Sequence, residues 1–145
     1  MIRRGLSAAL LVPLAACAGE GIVDPTAPAP LCTDVAPFRP ELHCIQQFVF
    51  TPSCAVSGCH ANPGVNLGLD LSDGRAFMNT VGVTSVGDPN LLRIEPGDPD
   101  ASYLLRKLRG DPAIVGDRMP FGGPFLSQAE IDVIEQWVLD GAQDN

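Results

Sequence analysis

Basic and aromatic side chains are scarce in this sequence. Lys107 is the only lysine, and the nine Lys and Arg together stand against seventeen Asp and Glu, for a formal charge of -8. No basic face is available to displace counterions from phosphate, which excludes nucleic acid as a partner. One Trp, one Tyr and six Phe supply few large rings for a core. Charged residues are also sparse, at 18% against 46% hydrophobic, so the chain is not a solvated disordered one. Its apolar runs fall short of the roughly 20 residues that a membrane-spanning helix needs. Period-2 alternation is missing, and no sheet is expected. Also missing are a Ser-His-Asp set, a phosphate-binding glycine loop and a carboxylate pair at catalytic spacing, so an enzyme is not expected.

What is plentiful is Gly and Pro, 15 and 14 of 145 residues. That composition rules out long helices and predicts short ones joined by loops. The length allows one small domain with appendages. A loop-rich domain with so few large apolar side chains needs a staple. Five Cys and two His are the residues that can supply one.

Met1-Ile2-Arg3-Arg4 is a short positive segment, and Gly5 to Leu14 is apolar but too short to span a bilayer. Leu14-Ala15-Ala16-Cys17 follows. In charge, apolar stretch and Leu-small-small-Cys order, residues 1–17 resemble a bacterial lipoprotein signal. The resemblance implies that residues 1–16 are a signal peptide and that Cys17 becomes the lipid-bearing first residue of the mature chain. An ordinary export signal with Cys17 incidental is the alternative. Ala18 follows Cys17 where inner-membrane retention would have Asp, which implies a lipid anchor in the outer membrane, on its periplasmic face or the cell surface. Removing Arg3 and Arg4 takes the charge from -8 to -10. Residues 17–31, with three Pro and no periodicity, then read as anchor and tether, and residues 32–145 as the folded domain.

Four short helices are expected. Leu42, Ile45, Phe48 and Val49 share one helical face, with Pro40 suited to the first turn and Pro52 expected to end it. Residues 72–81 read as a second helix capped by Ser72, with Gly82 after it and Met78 in its buried face. Residues 98–108 read as a third, capped by Asp98 and stopped by Gly110. Ser127-Gln128-Ala129-Glu130 is a capping box, and the helix it opens runs to Asp140 with Ile131, Ile134, Trp137 and Val138 as its buried stripe. The fold class is all-α and loop-rich.

The stretch with most chemistry is Cys54-Ala55-Val56-Ser57-Gly58-Cys59-His60. Three sites fit it. Two thiols and an adjacent imidazole can hold a haem. Cys54 and Cys59 can instead close a disulfide in an oxidising compartment. Cys54, Cys59 and His60 can also bind zinc with a fourth ligand such as Cys44. The Cys-x4-Cys-His order resembles the haem-attachment motif of c-type cytochromes, in its rarer four-residue spacing. Downstream, Pro96-Gly97-Asp98-Pro99-Asp100-Ala101-Ser102 and Met119-Pro120-Phe121-Gly122-Gly123 extend the resemblance to small single-haem class I cytochrome c domains, over roughly residues 45–142. The resemblance implies a cytochrome c-like domain binding one haem c, with thioether bonds to Cys54 and Cys59, His60 as proximal and Met119 as distal iron ligand. It implies electron transfer with a redox partner protein. Met119 as a gap-filling core residue is the bland alternative. Cys32 and Cys44 are left as an even pair, which points to a disulfide. His43 reads as a partly exposed helix residue, with a second axial ligand as its minor reading. Without haem, the chain reads as a disulfide-stapled interaction domain on a lipid anchor.

Overall fold

Helices are the only extended regular elements among the described residues, and a few isolated β-bridges take the place of a sheet. The computed structural model describes residues 32, 36–61 and 67–145. The expected leader 1–16, the lipidated Cys17 and the tether to residue 31 lie outside the described residues. Helix α1 (Leu42–Ile45) continues directly into a π-helical segment (Gln46–Cys54). Then come α2 (Ala76–Thr80), α3 (Tyr103–Arg109) and α4 (Gln128–Leu139). No helix among the described residues is long and apolar enough to cross a membrane.

Helix α4 starts where its capping box puts it. Ser127 N–H donates to Glu130 Oε2 at 2.7 Å, and Ser127 Oγ accepts from Glu130 N–H at 3.3 Å. Two N–H groups that a helix start would leave unpaired are thereby satisfied. The helix buries Ile131, Val133, Ile134, Trp137 and Val138. It packs on α3 and α1, and Ile45, Val49, Phe50, Ile94 and Leu105 complete the fully buried centre. The start of α1 is capped from far along the chain. Leu42 N–H donates to Asn145 Oδ1 at 2.8 Å, and His43 N–H donates to Asn145 O at 2.9 Å.

Three helix boundaries depart from the sequence reading. Pro52 does not end the first helix but sits inside the π segment, which runs on to Cys54. A proline ring clashes with the i−4 carbonyl of an α-helix, and the wider π turn relieves that clash. Ser72 caps nothing in α2: its N–H and hydroxyl go to Asp70 Oδ1, and the helix begins at Ala76. Asp98 caps a turn rather than α3. Its Oδ1 accepts from Asp100 N–H and Ala101 N–H, both at 3.0 Å, and extended Ser102 then opens the helix. Gly110 ends α3 with φ +75°, a left-handed conformation that glycine adopts without cost from a Cβ.

Met78 is not a core residue: it is 68% exposed. Helix α2 buries Ala76 and Thr80, one turn apart. At about 100° per residue, Met78 lies on the opposite face from both.

A disulfide joins Cys32 to Cys44, with Cα atoms 5.5 Å apart. It ties the segment before α1 to the core, where Cys44 is completely buried.

Candidate functional site

The Cys54–His60 segment leaves the π segment and closes on itself. Ala55 N–H donates to Phe50 O at 2.6 Å, Cys59 N–H to Val56 O at 3.0 Å, and His60 N–H to Cys54 O at 3.1 Å. Gly58, at φ +81°, makes the left-handed turn that returns the chain to Cys59. The loop therefore presents Cys54, Cys59 and His60 together. Both cysteines are thiols and half-buried. Burial, and next the neighbouring Cys59, push the Cys54 thiol up to about 12. Cys54 is thus a thiol rather than a thiolate at neutral pH.

His60 is gripped at two points by residues 69–71. Its Nδ1 lies 3.3 Å from Leu69 O, and its carbonyl accepts from Leu71 N–H at 2.7 Å. A carbonyl can only accept, so the Nδ1 contact puts the ring proton there and leaves Nε2 with its lone pair. Burial lowers the pKa of His60 below the ordinary histidine value, the Leu69 carbonyl opposes this, and Arg93 adds to the lowering. The ring is therefore held neutral, the form that ligates metal.

The grip on His60 is itself supported. Gln46, buried in the π segment, donates from Nε2 to Leu71 O at 2.9 Å and to Thr51 Oγ1 at 3.0 Å. Next in the chain, buried Asp70 accepts from Ser72 N–H at 3.0 Å and lies 3.4 Å from Arg75 Nε. Those hydrogen bonds from Ser72 are the main cause that holds the Asp70 carboxyl below the usual carboxylate range. Arg93 donates to Asn79 O at 2.8 Å and to Leu67 O at 3.1 Å, tying α2 to the strip that holds His60.

Met119 comes from a different part of the chain. It is half-buried against the core, and its N–H donates to Lys107 O at 3.0 Å, which anchors the Met loop to α3. Cys54 packs against the same core. The loop turns through Gly122 and Gly123, at φ +74° and +73°. Arg118 stacks over the Phe125 ring at 4.2 Å and donates to Leu108 O at 2.8 Å. Large apolar side chains stand exposed on the segments that carry or flank these residues: Val56 39%, Leu67 69%, Phe121 72% and Phe125 49%. His43 is on α1, exposed, and does not share the Cys54–His60 loop.

Gln46, Leu69, Leu71 and Arg93 were not legible as site residues. For Gln46 a signal existed, because it interrupts an otherwise apolar face four residues after Leu42. The two leucines act through backbone groups, which side-chain identity does not report.

Family models, curated proteins and solved structures contain no match to this chain.

Proposed function

We propose that this chain is a membrane-anchored electron-transfer module of the c-type cytochrome kind, binding one haem c. The observation that carries the reading is the His60 ring: neutral, with Nδ1 occupied by the Leu69 carbonyl and Nε2 left to bind iron. Metal-ligating histidines are oriented and made more basic by just such a hydrogen bond on the other nitrogen. The donor set fits the group. Cys54 and Cys59 stand on the loop that carries His60 and would form the thioether bonds. A flat apolar macrocycle would also cover exposed side chains such as Val56 and Phe121.

In this reading His60 Nε2 would hold the iron as proximal ligand and the Met119 thioether as distal ligand. A bound haem supplies a one-electron couple. Met119, as a soft ligand, favours the reduced state and raises the potential relative to a second histidine. An iron held by both His60 and Met119 would have no site left for a substrate, so this reading makes the chain an electron carrier rather than an enzyme. Gln46 and Leu71 hold the backbone of His60, and Leu69 sets its ring. Cys17 carries the lipid that anchors the module to the outer membrane, and the residues to 31 hold it off the surface.

The redox partner is a protein with a basic docking patch. The three cations of α3 are engaged locally: Arg109 pairs with Asp100 and Glu135, each at 2.8 Å, Arg106 donates to Asp100 O, and Lys107 donates to Val115 O. That leaves the net negative charge to steer association.

Expression with haem-maturation machinery tests this reading. Cys54→Ala and Cys59→Ala are each expected to lower covalent haem content and stability. Wild-type protein that folds with no covalent haem and a native Cys54–Cys59 disulfide would leave the second reading, a disulfide-stapled interaction domain for which the Cys32–Cys44 bond is the supporting observation.

A further inference from the structure

We propose that Cys32–Cys44 is a thiol-exchanging disulfide whose substrate is an external dithiol, with His43 as the acid that protonates the departing Cys44 sulfur. The disulfide does more than staple because of what stands beside it. His43 Nε2 lies 3.4 Å from Cys44 Sγ, and His43 Nδ1 lies 3.5 Å from Glu41 Oε2. Carboxylate, imidazole and sulfur are therefore in line, an order that moves a proton to or from sulfur. The remaining charged groups around the ring are known. Arg39 pairs with Glu41, and Asp73 and Asp144 line the same cleft as His43, from the loop before α2 and from the chain end.

The two sulfurs differ in access. Cys32 is half-buried, whereas Cys44 is completely buried. An incoming thiolate therefore attacks Cys32 Sγ. The Cys32–Cys44 bond breaks, a mixed disulfide forms on Cys32, and the electron pair leaves on Cys44 Sγ. A buried thiolate is a poor leaving group in an apolar setting, and a proton from His43 Nε2 converts it to the thiol. The second thiolate of the dithiol then attacks its own sulfur in the mixed disulfide and releases Cys32 as a thiolate, which takes a proton from water. The dithiol ends as a disulfide, and the chain has gained two electrons and two protons. Glu41 holds the imidazolium before transfer. None of this requires Cys54 or Cys59 in either state.

The test is the rate of reduction of the full-length oxidised protein by dithiothreitol. Timed samples are quenched with iodoacetamide, and label is read on the separate Cys32 and Cys44 peptides, so that Cys54 and Cys59 do not enter. Rates are expressed per thiolate. His43→Gln is expected to slow reduction about tenfold near pH 6, a modest share of what a positioned acid contributes. Coincident pH profiles for wild type and variant would overturn the proposal. A second measurement needs no variant: a monothiol, glutathione, should be trapped as an adduct on Cys32. An adduct on Cys44 would reverse the assigned direction of attack and equally overturn it.

Discussion

Replacing Gln46 by Met keeps the side-chain volume and removes both amide donors, which isolates what the Gln46–Leu71 hydrogen bond contributes. The bond to Thr51 is the lesser loss, because Thr51 is exposed and water replaces the partner. Leu71 is different. It is only 3% exposed, and its carbonyl accepts from Gln46 at 2.9 Å. A typical net hydrogen bond contributes about 1 kcal/mol, and a buried acceptor left unpaired costs roughly 1–3 kcal/mol. The expected destabilisation is about 2 kcal/mol, a large fraction of the 5–15 kcal/mol that holds a domain of this size. With a urea slope of about 2 kcal/mol/M, the unfolding midpoint should fall by about 1 M at unchanged slope. Leu71 N–H also holds the His60 carbonyl, so the loss reaches the site. In the haem-loaded protein the variant should show a heterogeneous iron-ligand spectrum as well. A midpoint shift below about 0.2 M would mean that water or a rearranged carbonyl replaces Gln46, and the argument for a supported His60 would fail.

Asp70 gives the acid limb of stability. Its carboxyl pKa is lowered by the Ser72 hydrogen bonds, so its contribution is fully present above the unfolded value of about 3.9 and is lost as pH falls through that value toward the folded one. Urea midpoints measured from about pH 5 to pH 2 should fall less steeply in Asp70→Asn than in wild type; parallel curves would refute the assignment. Met119→Ala in haem-loaded protein should abolish the near-infrared sulfur-to-iron band, lower the potential and admit carbon monoxide, and an unchanged band would assign the distal position to another residue. Cys17→Ser should accumulate as unlipidated precursor, whereas palmitate labelling of that variant would place the lipid elsewhere.

The parts of the fold that local chemistry decides were legible in the sequence. Ser127 and Glu130 mark the start of α4 because both ends of the capping box lie within one turn. The Ile131, Ile134, Trp137 and Val138 stripe follows from helical spacing alone. Capping residues were less reliable where two structures compete for them. Ser72 and Asp98 both satisfy N–H groups or carboxylates in turns just before a helix, and local turns use the same side chains in the same way. Met78 was misplaced because α2 is too short for its periodicity to define a face. The π segment had no signature, since apolar spacing over Leu42–Val49 fits an α-helix equally well. At the candidate site, the Cys54–Cys59–His60 cluster was legible because its members are neighbours in the chain. Its supports were not. Leu69 and Leu71 act through backbone groups that only the folded chain brings to His60.

The central claim is that Cys54, Cys59 and His60 hold haem, and the most direct measurement is a pyridine haemochrome spectrum of full-length protein made alongside haem-maturation machinery. The account predicts one haem per chain, resistant to acidified organic extraction, with an alkaline pyridine spectrum of a haem whose vinyl groups have been saturated by thioether bonds. A folded, extraction-clean protein without haem, carrying Cys54 and Cys59 joined to each other, would contradict it.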